Sequence, residues 1–259
     1  MVGEREEGGI EMSKLHITSL SKHFDHQPVL QNLSLQVEEG EFVSILGPSG
    51  SGKTTLFHLI GGMMEPEEGS IVLDGEKING KRGFISYMPQ DHALLPWRTV
   101  LGNVILGQEI HGRKDEARAK EWIVRAGLSG YEGAYPDELS GGMKQRVAFI
   151  RALMSPQSLL CLDEPFSSLD EFTRLDMQKW LMDIWEDDKR SVLFITHNID
   201  EALFLSDRII VLSGKPSNVQ KEFRVPYPRP RDEKMILSKE FLQHKKEIFR
   251  ELTKHVQHD

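Results

Sequence analysis

Apolar residues are arranged differently in the middle of this chain than at its two ends. Short apolar or alternating runs predict β-strands, and they occupy residues 15–17, 29–30, 33–37, 42–46, 69–73 and 84–88, and then 159–162, 192–195 and 209–212. Between these groups, apolar residues recur at helical spacing from about residue 99 to residue 155. The pattern predicts an α/β protein with a helical block, about residues 91–155, inserted into it.

The remaining segments complete the predicted domain organisation. A helix is predicted from about residue 170 to residue 187, between two late strands. Residues 226–231 alternate proline with other residues, which indicates an extended linker. Apolar residues at 237, 241, 248 and 252 then predict an amphipathic terminal helix. We expect a disordered tail at 1–14, a main domain at 15–225, and the linker with its helix at 226–259.

Composition narrows the class of protein. The chain has 259 residues, of which 39% are hydrophobic and 28% charged, as is usual for a globular protein. Its net charge of −8 argues against sequence-independent binding to nucleic acid. No apolar run has the length needed to cross a bilayer. The single cysteine, Cys161, excludes a disulfide within the chain and fits a reducing compartment.

A phosphate-binding loop is the clearest chemical motif. Two glycines bracket four residues before Lys-Thr, with a predicted strand on one side and a predicted helix on the other. Such a loop points successive backbone N–H groups at an anion, and the helix N-terminus adds partial positive charge. We therefore predict a nucleoside triphosphate site formed by Gly47, Pro48, Ser49, Gly50, Ser51, Gly52, Lys53, Thr54 and Thr55.

Individual residues of this loop have distinct expected roles. Lys53 would reach the β- and γ-phosphates, and the Thr54 hydroxyl would ligate Mg²⁺. Two carboxylates, Asp163 and Glu164, follow the apolar run at residues 159–162. Ligands of open parallel sheets bind at such strand ends. We predict that Asp163 holds Mg²⁺ through water and that Glu164 polarises the water attacking the γ-phosphate.

The sequence pattern leaves the roles of two further side chains undecided. Phe24 is predicted in a polar turn, where it could stack on an adenine ring or pack on the local hairpin. His197 ends the predicted strand at residues 192–196, and a histidine at such a position is more often structural.

A serine and two glycines open a predicted helix at residues 139–146 and offer a second anion site. The chain cannot easily bring Ser140, Gly141 and Gly142 onto its own phosphate loop. This stretch resembles the signature of ATP-binding-cassette (ABC) ATPases, in which it closes over the nucleotide of a second copy. Met143 departs from the commonest pattern, which has glutamine there.

The resemblance covers residues 15–212 and implies a P-loop NTPase core with an antiparallel β subdomain and an inserted helical subdomain. It implies that Phe24 stacks on adenine and that His197 is the switch histidine contacting the γ-phosphate. It also implies that Gln90 links Mg²⁺ and the attacking water to the helical subdomain. Residues 167–170 match the loop that signals between two sites.

The resemblance further implies a homodimer with two ATP molecules and Mg²⁺ between the copies, attached to membrane subunits at the cytoplasmic face. Leu94, Leu95 and Trp97 would dock the membrane partner, unless they pack beneath the helical block instead. This loop and residues 228–231 resemble the nitrate, sulfonate and taurine importer subgroup, whose relatives include transporters of thiamine-precursor pyrimidines. In that subgroup a solute-binding protein and the membrane subunits choose the solute.

The main alternative is an ABC-type ATPase that acts on DNA or ribosomes. Such proteins carry a long coiled coil or two cassettes in one chain, and this sequence has neither. A phosphate-loop kinase or GTPase would leave residues 139–145 and His197 unexplained. The sequence thus favours an importer ATPase with no nucleic-acid partner.

Overall fold

The computed structural model describes residues 14–167 and 169–254, and in these residues the chain forms ten strands and eight α-helices. The predicted tail at 1–14, except Lys14, and residue Ser168 lie outside the described residues. The strands are β1 Leu15–Phe24, β2 Gln27–Val37, β3 Phe42–Leu46, β4 Glu68–Leu73, β5 Glu76–Lys77, β6 Ser86–Met88, β7 Leu159–Asp163, β8 Ser191–Ile195, β9 Arg208–Leu212 and β10 Val219–Arg224. The helices are α1 Lys53–Ile60, α2 Val100–Val104, α3 Leu106–Ile110, α4 Glu116–Arg125, α5 Gly141–Leu153, α6 Glu171–Asp188, α7 Ile199–Leu205 and α8 Lys239–Thr253.

The larger sheet has the strand order β10-β9-β3-β8-β7-β6. Its strands β9, β3, β8, β7 and β6 are parallel, and β10 pairs antiparallel with β9 at the edge. Every residue of β3, β7 and β8 is buried, because helices and the second sheet cover both faces. Continuous apolar runs are typical of strands in this position. Parallel pairing brings the carboxyl ends of these strands to one edge.

The smaller sheet is antiparallel, with the order β2-β1-β4-β5. The predicted fold class, an α/β core with an antiparallel β subdomain and inserted helices, is confirmed. Strand β1 is longer than predicted. Its pairing shifts register at several points, and Ser19 has a positive φ of 48°. Because these irregularities interrupt the alternation of apolar and polar residues, the sequence pattern did not show the full strand. Phe24 consequently ends β1 rather than lying within a turn.

The helices α2 to α5 lie between β6 and β7, within the predicted helical block. Helix α5 connects this block to the core, because Phe149 stacks on Phe166 with ring centroids 5.5 Å apart. Asn103 of α2 is fully buried, and its side-chain amide bonds three backbone carbonyls, those of Leu95, Arg98 and Thr99. A buried amide with all these partners holds the preceding loop in one conformation.

The segment predicted as an extended linker is bound to the core. Arg229 donates to the Leu205 carbonyl at 2.6 Å and to Asp207 at 2.8 Å, and its guanidinium lies over the Trp185 ring. Arg231 donates to the Phe204 carbonyl at 2.9 Å. These contacts close the end of α7 against the start of β9. Strand β10, which the sequence pattern did not predict, is half-exposed and largely polar, as an edge strand can be.

Helix α8 packs through one face only. Phe241 and Ile248 are almost fully buried in a cluster with Ile199, Ala202 and Leu203 of α7. The next residue, Phe249, is 58% exposed. The amphipathic terminal helix is therefore docked on α7, along a face set by the helical period.

The first prediction concerns this docking. Ile248→Ala should lower the free energy of unfolding by about 2–5 kcal/mol, because it deletes buried methyl groups and leaves a cavity. Phe249→Ala, one position along, is the matched control and should change stability by about 0.5 kcal/mol or less. Urea unfolding of both variants measures the difference. Equal effects would contradict the docking of α8 through Ile248.

Candidate active site

The phosphate loop connects β3 to α1 and depends on two glycines in the left-handed region. Gly50 has φ 78° and Gly52 has φ 86°. A Cβ on Gly52 would also lie 2.8 Å from a methyl carbon of Val29, so a side chain fits neither the backbone nor the space. The loop therefore keeps its tight turn and delivers Lys53 as the first residue of α1.

Lys53 folds back over the loop. Its ammonium donates to the carbonyls of Gly47 at 3.0 Å and Pro48 at 2.9 Å. Burial lowers the pKa of Lys53, while Glu164 and Asp163 oppose that change. A buried cation with two carboxylates nearby fits a site for an anion carrying a metal ion.

Asp163 ends β7 with its carboxylate almost fully buried. The Tyr87 hydroxyl donates to it at 3.3 Å. Burial raises the pKa of Asp163, and side-chain hydrogen bonds from Thr54 and Tyr87 oppose the rise. Thr54 and Asp163, two of the three predicted Mg²⁺ ligands, are thus adjacent, and the third, Gln90, lies beside Glu164. The sequence pattern had given no role to Tyr87.

Glu164 is held at a strained backbone position with a positive φ of 43°. Its N–H donates to the Ile195 carbonyl at 2.9 Å, which ties it to the end of β8. Its Oε2 lies 3.3 Å from His197 Nδ1 and 3.4 Å from Gln90 Nε2. The structure therefore brings together the three residues predicted to carry the chemistry.

Of these three residues, Glu164 lines a cleft of about 360 Å³, whereas Gln90 and His197 are not among its lining residues. Phe24 stands at its rim, 41% exposed, with the Lys22 ammonium 5.7 Å from its ring. The cleft is lined by Phe24, Val29, Ser49, Gly50, Gly52, Lys53, Thr54, Thr55, Glu164 and Lys215. Sequence reasoning missed Val29 and Lys215. Lys215 lies in the loop after β9, where no motif marks it, and only the sheet brings that loop to the cleft.

The residues present fit ATP and Mg²⁺. Ser51 Oγ is buried without a hydrogen-bond partner among the described residues, within the loop that would bind phosphate. In the described part of the chain no group of three or more His, Cys, Asp or Glu side chains is suited to a metal. Mg²⁺ usually needs only one or two protein carboxylates, because waters and phosphate oxygens complete its octahedron. Thr54 and Asp163 match that sparse donor set.

Ser140, Gly141 and Gly142 lie elsewhere. Ser140 caps α5, its hydroxyl accepting from the Met143 N–H at 3.3 Å. Ser140 and Gly141 are exposed, and no residue of this trio is among the described residues that line the cleft. Met143, the departure from the usual pattern, packs its side chain against the core of the helical block.

The loop after Gln90 presents one exposed aromatic ring. Trp97 is 71% exposed, whereas Leu94 is half-buried against the core. Arg151 braces the loop by donating to the His92 carbonyl at 2.7 Å. In the residues described, no helix combines the length and the apolar character that a membrane crossing requires.

Comparison with known proteins gives consistent matches. The family model described as ABC transporter matches residues 30–167. The chain is 44% identical over 225 residues to the aliphatic sulfonates import ATP-binding protein SsuB of Bacillus cereus, covering 83% of this chain and 88% of that protein. It is 48% identical over 202 residues to the formylaminopyrimidine import ATP-binding protein ThiZ of Halalkalibacterium halodurans, covering 77% and 79%.

A solved structure is similar as well. The dimeric structure of MJ0796, a bacterial ABC transporter cassette, superimposes with a TM-score of 0.73 at 32% sequence identity. The match covers 83% of this chain and all of that one.

The second prediction follows from the burial of Asp163. Its pKa is raised in the folded state, so the ionised carboxylate destabilises the fold at pH 7. Asp163→Asn should therefore raise the Tm of the nucleotide-free protein at pH 7. The gain should shrink as the pH falls toward about 4, because protonation of Asp163 then removes the same penalty in the parent.

Differential scanning calorimetry across this pH range measures the effect. Asp183→Asn, at an exposed position of α6, is the control and should leave Tm unchanged. A lower Tm for Asp163→Asn at pH 7 would contradict the prediction.

Proposed function

The chain belongs to the ABC transporter family, as its sequence motifs predicted, and on that premise we propose that it is the ATP-hydrolysing subunit of a membrane importer. ABC ATP-binding proteins hydrolyse ATP with Mg²⁺ to power transport, so the predicted enzyme class and cofactors are confirmed. The observation that carries the proposal is the convergence of Gln90 and His197 on the Glu164 carboxylate, at the mouth of the phosphate-loop cleft.

We assign nucleotide binding to the phosphate loop. Its backbone N–H groups and Lys53 hold the phosphates, and Lys53 exchanges its carbonyl partners for phosphate oxygens. Thr54, Asp163 and Gln90 would hold Mg²⁺, which would neutralise charge on the phosphates. Phe24 stacks on the adenine, and its exposed position at the rim of the cleft supports this role.

We assign the hydrolytic step to Glu164. Its carboxylate orients the attacking water and takes up proton density from it as the bond to phosphorus forms. His197 donates a hydrogen bond to the γ-phosphate. Gln90 contacts the attacking water and links it to the helical block. The hydrogen bond from the Glu164 N–H to the Ile195 carbonyl supports this assignment, because it fixes the backbone position from which the side chain extends.

Dimerisation is the second part of the function. ABC cassettes of this family form homodimers, and MJ0796 is a solved example. We propose that Ser140, Gly141 and Gly142 of one copy cover the phosphate loop of the other. The exposure of Ser140 and Gly141, and the absence of all three residues from the lining of their own cleft, support this arrangement. Each chain would then contribute its phosphate loop to one site and Ser140, Gly141 and Gly142 to the other.

Membrane permease subunits are partners of such import proteins. We propose that they dock on the loop around Leu94, Leu95 and Trp97, and that the chain works at the cytoplasmic face of the membrane. The exposed Trp97 ring and the bracing by Arg151 support a rigid aromatic contact there. Leu94, being half-buried, would shape the loop rather than contact the partner.

The solute is proposed by class. The relatives are named for import of aliphatic sulfonates and formylaminopyrimidine, and both solutes are small and polar. We propose a small solute of this kind, such as a sulfonate, taurine, nitrate or a thiamine-precursor pyrimidine, delivered by a solute-binding protein. These relatives favour the importer over the alternative, an ATPase acting on DNA or ribosomes.

The third prediction tests Glu164. Glu164→Gln keeps the shape but loses the base, so kcat for ATP should fall by about 100-fold or more while ATP binding persists. The variant should form a stable dimer with ATP, visible by size-exclusion chromatography with light scattering. Lys53→Ala is the contrasting variant and should lose ATP affinity measured by calorimetry. Near-normal hydrolysis by Glu164→Gln would remove this residue from the catalytic role.

The fourth prediction tests the docking loop. Trp97→Ala should leave the ATPase activity of the isolated chain unchanged and reduce solute uptake by the assembled transporter, because the contact with the permease is weakened. Ile110→Ala, which is 74% exposed on α3, is the matched control. Uptake into vesicles measures both. Normal uptake with Trp97→Ala would contradict the proposed docking surface.

A further inference from the structure

Two helices join the candidate catalytic residues to the loop at residues 167–170. Helix α6 begins immediately after Asp170, and the Asp170 side chain caps it. Helix α7 begins two residues after His197, capped by Asn198. The two helices pack together. A contact between their first turns therefore also connects the loop before α6 to the turn that carries His197, before α7.

One arginine and one glutamate make that link. Arg174 of α6 donates to the Leu169 carbonyl at 2.8 Å, and its Nε lies 3.6 Å from Glu201 Oε1. Glu201 of α7 accepts from the Thr196 hydroxyl at 2.5 Å. The same Thr196 oxygen accepts from the Asn198 N–H at 3.0 Å. The chain of contacts thus ends on the residues immediately before and after His197.

We propose that Arg174, Glu201 and Thr196 are positioning residues that hold His197 in register with the loop at residues 167–170. This inference rests on the proposed function, because His197 and Glu164 must act in hydrolysis for their register to matter. A movement of the loop would reach Arg174 through the Leu169 carbonyl, then Glu201, and then the turn that carries His197.

The burial of the link supports a defined geometry. Glu201 is 5% exposed, and burial raises the pKa of its carboxyl, while the Thr196 hydroxyl and the Arg174 charge oppose the rise. Thr196 is 2% exposed. A buried carboxylate with few hydrogen-bond partners is strongly destabilised if one partner moves away, because no water can take that partner's place.

Arg174 leaves the link incomplete in one place. Its Nε is buried and has no hydrogen-bond partner among the described residues. The 3.6 Å separation from Glu201 exceeds hydrogen-bond distance, and a shift of about 0.5 Å between α6 and α7 would close it to a charge-assisted bond. A small sliding of the packed helices would therefore complete the link.

The position of α7 as a whole does not depend on this link. Its other side packs on α8, and Lys245 donates to Asp200 at 2.7 Å. Loss of the Thr196 hydroxyl should consequently disturb the turn at His197 while the helix stays in place. A positioning role can thus be separated from a general role in stability.

The first test replaces Thr196. Thr196→Val removes the hydroxyl at nearly constant volume, and kcat for ATP should fall by about tenfold or more through misplacement of His197. KM and the calorimetric affinity for ATP should stay within about twofold, since the phosphate loop is untouched. Thr196→Ser keeps the hydroxyl and should retain most of kcat. Equal losses in Thr196→Val and Thr196→Ser would overturn the proposal.

The second test asks whether the residues act as one unit. Arg174→Met should lower kcat by itself, and the double variant with Thr196→Val should be no slower than the slower single variant. Fold-losses that multiply would mean independent roles and would overturn the link. This cycle does not require the variants to be equally stable, provided that each is folded by circular dichroism at the assay temperature.

Glu41→Gln is the matched control. It alters another largely buried ion pair, in which Arg208 donates to Glu41 at 2.8 Å, away from His197. It should leave kcat of the folded protein unchanged. A kcat loss like that of Thr196→Val would reduce the proposed role to stability. A parent protein without ATPase activity would instead refute the proposed function, whereas an active parent with unaffected Thr196→Val refutes only this inference.

Discussion

Parallel pairing of β3, β8 and β7 is the constraint on which the site depends. In the register of this sheet, Asp163 pairs with Ile195 and Ile45 pairs with Ile195 from the other side. The phosphate loop, the acidic pair and the histidine turn follow these strands, so all three emerge at one edge. The hydrogen bond from the Glu164 N–H to the Ile195 carbonyl extends the pairing one residue beyond the strand. The positive φ of Glu164 then turns its side chain toward His197 and Gln90.

This edge is electrostatically costly in the absence of a nucleotide. Burial raises the pKa of Asp163 and lowers that of Lys53, which means that each charge is disfavoured where it stands. A ligand that brings both phosphates and a divalent cation supplies the missing partner for each of these groups. Binding therefore stabilises groups that the fold alone strains, which is one way that a protein couples ligand occupancy to its conformation.

Other parts of the molecule contact the elements of the site from outside the cleft. The helical block is attached through α5 and Phe166, and the serine and glycines at the N-terminus of α5 do not line their own cleft. On the opposite side, α7 lies between α6 and the docked α8. The contacts among Arg174, Glu201 and Thr196 lie between Leu169 and the turn that carries His197.

Local sequence patterns were enough to predict the fold class, the phosphate loop and the acidic strand end. Each of these is a local pattern: a buried parallel strand is apolar throughout, and the phosphate loop needs glycines at fixed spacing. Pattern could not reveal β10 or the full length of β1, because an edge strand is polar and a bulged strand breaks its alternation. It also missed Tyr87 and Lys215, and gave no reason for Arg174 to face Glu201. Those contacts join residues distant in the chain, and only the packing of the sheets and helices decided them.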